Sequence, residues 1–226
     1  MNENTAPLFA KLQDKASLKQ DIYTKTLNTF KTLYDILFTL SKEYEQFSST
    51  QNAPIPFRLT KKSEFEIELQ FGGDVLIFMM HTNIFEFSRD HEVMKTPYIR
   101  EDKLRSYCGV IHIFNFLADS FKYNRLNDIG YLIGRLFINK ELHYFIEGKR
   151  EVGLLYPNFA TSIVDEQSIR KIIESAIEYT LNFDLLTPAF DSIKEVSVDE
   201  IQTTSDNIKL KTGKRLGFKF QADHDL

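Results

Sequence analysis

The stretch Asp128–Leu155 reads DIGYLIGRLFINKELHYFIEGKREVGLL, and its reading decides the fold. Tyr131 to Ile138 is rich in apolar and aromatic residues, as is Leu142 to Ile146, with Asn139, Lys140 and Glu141 between them. Two β-prone runs around a short polar break predict a hairpin, and Gly148-Lys149-Arg150 closes its second strand. The rest of the chain is expected to pack on this hairpin.

Upstream, further runs read as strands. Glu64 to Phe71 alternates strictly, with Phe65, Ile67, Leu69 and Phe71 on one face and Glu64, Glu66, Glu68 and Gln70 on the other. That is a half-buried antiparallel strand near a sheet edge, where an acidic face discourages edge pairing. Gly72-Gly73-Asp74 is a tight turn, and Val75 to Thr82 returns with both faces apolar. Asn83 turns the chain again before a short strand, Ile84 to Ser88. Gly109 to Leu117 is apolar on both faces, with Cys108, Val110, His112, Phe114 and Phe116 on one side and Ile111, Ile113 and Leu117 on the other. Asp119 to Asp128 is expected to extend it into a long hairpin turning at Asn127-Asp128, with a helical turn as the alternative. Pro157-Asn158 ends the sheet. Between these strands lies Arg89–Ser106, RDHEVMKTPYIREDKLRS, the longest connection in the fold. Long ordered connections are often functional, and a short helix is expected near Arg100 to Arg105.

Helices flank the strands. From Ser17 to Phe47 a stripe of Tyr23, Leu27, Phe30, Tyr34, Leu37, Ser41 and Tyr44 recurs at alternating spacings of four and three, widened by Ile22, Leu33, Leu40 and Phe47. At ~1.5 Å per residue this helix is ~45 Å long, more than twice the ~17–20 Å of an ordinary strand. It either lies across its own sheet or protrudes to meet a partner. Ser48 to Asn52 is a polar break, and Pro54 and Pro56 impose an extended path beyond it. Downstream, Ser162 or Asp165 caps a helix to about Asn182, with Ile169, Ile172, Ile173, Ala176, Ile177, Thr180 and Leu181 as its stripe. Thr187-Pro188 starts a shorter helix through Phe190, Ile193 and Val196, and Ser197 with Glu200 forms a capping box. Residues 207–221, NIKLKTGKRLGFKFQ, alternate as a final basic hairpin around Thr212-Gly213-Lys214.

One long helix, six or seven strands, then helices is a segregated order. It predicts a single α+β domain over residues 1–226, with a long N-terminal helix, a mainly antiparallel sheet built as a meander of hairpins, and C-terminal helices packing on that sheet. Residues 1–14 are read as loose, 15–47 as the long helix, 57–156 as the sheet, 162–202 as helices and 207–221 as the basic hairpin. Strands apolar on both faces require both sheet faces to be covered: the first helix on one, the later helices on the other, or a partner subunit in place of either.

The totals bound the function. A chain of 226 residues should bury roughly 70–75% of its unfolded surface, enough to fold without disulfides or metal. It is 42% hydrophobic and 13% aromatic, with 20 Phe and no Trp, which argues against disorder. A net charge of −4 makes no whole-chain case for nucleic acid or membrane. One cysteine, Cys108, excludes an internal disulfide framework and reads as a small core residue. The first residues, MNENTAPLFAKLQDKASLK, hold no continuous apolar run, and no run approaches ~20 residues, so no signal peptide or spanning helix is expected and the chain is read as cytoplasmic.

Chemistry is thinly signalled. None of the five histidines (81, 91, 112, 143, 224) forms an HxxxH or HExxH pair, so neither a metal site nor a cofactor is expected. His112 in VIHIFNF and His143 in the hairpin could approach each other if their strands are neighbours. With Asp119 they form the only candidate catalytic set, beneath the 89–106 connection; the competing reading is two half-buried structural imidazoles. Asp128 with Glu147-Gly148-Lys149 resembles the D…ExK pattern of metal-dependent nucleases, in which the acids hold Mg²⁺ and the lysine steadies water or phosphate. The hairpin register opposes it. Glu147 should face about Gly134, leaving Asp128 ~20 Å away along the strand, too far to share a metal. The chain contains no GxSxG, Walker loop or GxGxxG. Lys209, Lys211, Lys214, Arg215 and Lys219 interleave with Phe218 and Phe220, and Lys122 and Arg125 flank Tyr123. Cations beside aromatics suit single-stranded nucleic acid, whereas lysines along an edge strand serve equally to guard it.

The leading expectation is therefore a non-catalytic interaction or regulatory module, oligomeric, engaging itself or another protein through the long N-terminal helix, with no membrane partner. The alternatives are a nucleic-acid-associated protein using the basic C-terminal segment, and an enzyme with a site assembled around His112 and His143.

Overall fold

The computed structural model describes residues 5–52, 55–126, 128–155, 157–183, 185–187, 189–199, 201–202 and 219–220. The architecture is α+β: a long N-terminal helix, an antiparallel seven-stranded sheet and C-terminal helices. The strands are β1 (Phe57–Lys61), β2 (Glu66–Phe71), β3 (Asp74–Met80), β4 (Phe85–Glu86), β5 (Tyr107–Leu117), β6 (Tyr131–Asn139) and β7 (Tyr144–Gly148). They lie in the order β1-β2-β3-β5-β6-β7, with the two-residue β4 beside the start of β5. The strand expected near an edge, β2, is one strand in, and β1 forms the edge itself.

The β6–β7 hairpin forms where the sequence placed it. Its turn is held by Asn139, a buried side chain whose Oδ1 accepts from the Glu141 N–H at 2.9 Å and the His143 N–H at 3.1 Å. Leu142 adopts a left-handed φ of 60° to complete the reversal. β7 ends at Gly148, where Gly148-Lys149-Arg150 is expected to close it. A short helix, α4 (Arg150–Gly153), follows, because Gly148 and Val152 approach so closely that a Cβ on Gly148 would collide with the valine. Ser162–Val164 then returns along β7: the Tyr144 N–H donates to Ser162 O at 3.0 Å and the Val164 N–H to Leu142 O at 2.9 Å. On the far side of β5 the expected strand extension over 119–128 is replaced by the alternative, a helical turn, α3 (Ala118–Lys122).

The first helix, α1, spans Ala6–Ser48. It starts well before Ser17, so residues 6–14 are helical rather than loose. Pro7 is tolerated in the first turn, and the Ala, Leu, Lys and Gln that follow favour helix without any packing partner. At 43 residues it is about 64 Å long. Its buried face is Ile22, Thr26, Thr29, Phe30, Leu33 and Leu37, so Tyr23, Leu27 and Tyr34 of the expected stripe flank the contact instead of centring it. The two threonines mark where the helix comes closest to the sheet. Gly109 of β5 lies directly beneath Thr26, and any side chain there would overlap it. The Thr26 hydroxyl is satisfied by Ile22 O at 2.8 Å.

The helix capped by Asp165 is α5 (Glu166–Leu181). Asp165 accepts from the Ser168 N–H at 2.7 Å, and Ser168 Oγ accepts from the Asp165 N–H in return. α5 packs beside α1 on the same face of the sheet, correcting the expectation of one helix layer on each face. Together they seal the core of Ile67, Leu69, Leu76, Phe78, Ile111, Ile113, Leu136, Ile138 and Ile146. Arg170 of α5 grips the Glu43 carboxylate of α1 through two nitrogens, at 3.1 and 2.6 Å. After α5, β8 (Leu185–Leu186) pairs with β9 (Lys219–Phe220), and α6 (Phe190–Ile193) is a single turn, shorter than the helix expected through Val196. Most of the expected basic hairpin at 207–221 lies outside the described residues.

Candidate functional site

Among the described residues the opposite face of the sheet is only partly covered, because both helices take one side. At one end the 87–106 segment folds over it through two 3₁₀ turns (Glu92–Lys95 and Lys103–Ser106) and α2 (Pro97–Glu101). This buries Val93, Ile99, Cys108, Val110, Phe137 and Phe159 with Phe87, Tyr98 and Phe145 around them. Tyr98 pins the segment to the hairpin turn. Its hydroxyl accepts from Asn139 Nδ2 at 2.8 Å and donates to Glu141 at 2.8 Å. Arg105 stacks over its ring at 4.5 Å and donates to Glu141 at 2.9 Å. Burial raises the Tyr98 phenol above its ordinary range, so it stays a neutral donor. At the other end α3 and the following turn stand over β5, with the rings of Phe116 and Phe121 in edge contact at 5.5 Å.

Between these walls runs an open trough. The register lines up one residue from each of five strands across its floor: Glu66, Met79, His112, Arg135 and Glu147. The next row is Glu68, Ile77, Phe114 and Leu132. Met79, Leu132, Phe121 and Leu126 are exposed along it. A cavity of about 410 Å³ opens where Ile77, Met79, Phe114, Phe116, Phe121 and Leu126 converge. From Val110, beneath one wall, to Phe116, beneath the other, is about 20 Å along β5. That span admits one helix, whose side chains reach a diameter of about 10–12 Å.

The polar row is neutralised from above. Glu147 takes the guanidinium of Arg135 on one oxygen and His91 Nε2 on the other at 2.9 Å. His91 Nδ1 accepts from the Val93 N–H at 3.2 Å, so in the neutral ring the proton is on Nε2 and is donated to Glu147. Beside them His112 is held below the ordinary histidine range, first by burial and then by the positive charges of Arg135 and His81. A neutral His112 therefore sits in the middle of the trough.

The candidate catalytic set does not assemble. Cys108, four residues before His112, pairs with Asn139, whose side chain holds the His143 N–H. His143 is thus about 13 Å from the level of His112, stacked on Tyr98 with centroids 5.3 Å apart. Asp119 lies in α3, beyond the other end of β5 and about 17 Å from His112 along the strand. The D…ExK pattern dissolves likewise: Glu147 faces Arg135, one residue from the expected Gly134, and Asp128 accepts from Ser120 Oγ at 2.8 Å outside the hairpin. Cys108 is buried, and burial pushes its thiol up, out of reach of reaction. Among the described residues no three His, Cys, Asp or Glu side chains are placed to hold a metal ion. Lys122 and Arg125 do come together, both 4.9 Å from the Tyr123 ring. Lys209, Lys211, Lys214 and Arg215 lie outside the described residues, and Lys219 is placed only as backbone beside Leu186.

The sequence singled out His112, Glu66 and Glu147 separately but not their sharing one row, and it passed over Arg135. The available signal was Arg135, the lone charge within the otherwise apolar LIGRLFI.

A second unpartnered surface lies at the start of α1. Ala6–Ser17 is exposed throughout, about 18 Å of helix, with Leu8 63%, Phe9 50% and Leu12 63% exposed on one face. Lys11, Lys15 and Lys19 follow one another at one-turn intervals along its flank. No helix among the described residues is long and apolar enough to cross a membrane.

The fold and site define an α+β protein with a two-helix layer on one sheet face and a walled trough on the other. No protein family, curated protein or solved structure matches the chain.

Proposed function

We propose that the protein is a non-catalytic interaction module that assembles with a second copy of itself. The N-terminal three turns of α1 from one copy lie in the sheet trough of the other, reciprocally. The observation behind this reading is that one chain carries two surfaces with no partner among the described residues: a helix end with Leu8, Phe9 and Leu12 on one face, and a trough one helix wide whose floor sets an apolar row beside a polar one. Leu8 and Leu12 are one turn apart and would rest on Met79 and Phe114. The lysine flank would face Glu66 on the rim, since Glu68 is matched by Lys62 at 3.1 Å. Burial of exposed apolar surface on both sides supplies the driving force.

Light scattering across a concentration series tests it. The full chain is expected at twice the chain mass. Leu8→Asp/Leu12→Asp and, separately, Met79→Asp are expected at the monomer mass, each folded by circular dichroism. Removal of residues 1–17 should do the same, because the helix buries side chains against its own sheet only from Ile22 onward and Lys15, over the Tyr107 ring at 5.4 Å, is an exposed contact. A full chain that stays monomeric, or a dimer that survives both substitutions, overturns the proposal.

A further inference from the structure

The free edge of the sheet, β1, carries a different kind of site. In an antiparallel pair, residues alternate between those that exchange hydrogen bonds with the partner and those that point their backbone groups away. The Gly72 N–H donates to Pro56 O at 3.2 Å and the Lys62 N–H donates to Glu66 O at 3.0 Å. With Arg58 opposite Gln70 and Thr60 opposite Glu68, this phase turns Arg58 and Thr60 toward β2. The N–H and C=O groups of Phe57, Leu59 and Lys61 therefore face out of the sheet, and no strand among the described residues pairs with them.

A helix flanks that edge. The C-terminal half of α1 passes beside β1, and a cleft of about 410 Å³ opens between them, lined by Tyr34, Phe38, Tyr44, Ile55 and Leu59. The Phe57 ring stacks on Tyr44 at 4.8 Å and forms the cleft's floor. Phe38 is 49% exposed on the helix side and Ile55 56% on the strand side, two apolar residues with the gap between them. Ser41, Lys42, Glu45 and Ser48 also line it, so the cleft is mixed, with apolar residues on both lips. A backbone edge beside such a helix-walled cleft takes an extended peptide as an added strand: the edge binds its main chain and the cleft takes alternate side chains.

Charge identifies the occupant. Arg58 and Lys61 have no acidic partner among the described residues, and Lys61 Nζ lies over the Tyr34 ring at 5.4 Å. Lys62 and Lys42 are already matched, by Glu68 at 3.1 Å and Glu45 at 2.8 Å. β1 itself thus carries two unmatched cations. A second β1 would bring another Arg58, Lys61 and Lys62 onto the same short ladder, and like charges oppose that pairing. We infer that the β1–α1 cleft binds an extended acidic peptide by strand addition, with apolar side chains entering at every second residue.

The probe is a fluorescein-labelled peptide alternating Ile and Glu over seven residues, titrated with the full-length protein by fluorescence anisotropy. Saturable binding is expected, with hydrogen exchange slowing at the Leu59 and Lys61 amides and not in β7. Arg58→Glu/Lys61→Glu should weaken binding about tenfold, two partly exposed ion pairs turned to repulsion, and should gain binding of the matching Ile–Lys peptide. Phe38→Asp, on a solvent-facing helix position, should weaken the Ile–Glu peptide without changing the fold. A peptide N-methylated at alternate residues should lose binding on one phase only. Absence of binding at millimolar peptide, equal binding of the Ile–Lys peptide by the unaltered chain, or protection at an edge other than β1 overturns the inference. Because the trough is on the opposite face and α1 before Ile22 is not involved, the Leu8→Asp/Leu12→Asp protein should bind this peptide unchanged.

Discussion

Replacing Asn139 with alanine should cost about 3 kcal/mol of stability, because one buried side chain holds both the hairpin turn and the wall of the trough. Asn139 is fully buried. Its oxygen satisfies the backbone N–H groups of Glu141 and His143, at 2.9 and 3.1 Å, and its nitrogen donates to Tyr98 at 2.8 Å. Removing an acceptor from a partly buried N–H costs about 1 kcal/mol per bond after water competes, and two such groups are orphaned. The lost bond to Tyr98 and the small void add about 1 kcal/mol more. The phenol is not stranded, since it still donates to Glu141 at 2.8 Å. Urea unfolding, followed by circular dichroism, measures the loss as a shift of midpoint at unchanged slope. Tyr98→Phe removes only the hydroxyl and should cost about 1 kcal/mol. The double variant should lose less than the two singles combined, because they share one bond. A loss below about 1 kcal/mol for Asn139→Ala, or strict additivity with Tyr98→Phe, would refute this account of the turn.

Two further outcomes follow from buried polar groups. His112 is pushed below the ordinary histidine value of 6.5, so the unfolded chain takes up a proton at a higher pH than the folded one. Its contribution is therefore present in full above about pH 6.5 and declines as the pH falls toward the folded value; His112→Gln should flatten that decline in urea midpoints taken from pH 7.5 to 5.5, and an NMR titration midpoint at or above 6.5 would contradict it. Asn115 is 1% exposed, and neither its amide oxygen nor its nitrogen has a hydrogen-bond partner among the described residues. Asn115→Leu, close in volume, should raise stability by about 1–2 kcal/mol in thermal unfolding, and a destabilised variant would show that the amide is satisfied in solution.

Local pattern made much of this fold legible. The strict alternation of Phe65 to Phe71 placed β2 and its buried face, since side chains on a strand alternate whatever surrounds them. Asp165 announced the start of α5, since a cap acts within one turn. The apolar runs around Asn139-Lys140-Glu141 announced the hairpin. Residues 6–14 are helical rather than loose because Ala, Leu, Lys and Gln favour helix even where the apolar face of Leu8, Phe9 and Leu12 is left exposed. The stripe of α1 was misphased because Thr26 and Thr29 occupy its centre, and only the close approach at Gly109 explains buried threonines there.

The candidate site was far less legible, and the reason is the range of the interactions that build it. The sequence alone determined that His112 lies on an apolar strand and that Arg135 and Glu147 interrupt another two, because those are statements about neighbours along the chain. Tertiary structure alone decided that these three share one row, that His91 reaches Glu147 across 56 residues of chain at 2.9 Å, and that α1 and α5 crowd onto one face and leave the other open. A shift of one residue in the pairing of β6 and β7 moves Glu147 from Gly134 to Arg135, and local propensity does not discriminate between the two registers. The choice is made by the helices, turns and cross-strand pairs that close the fold together.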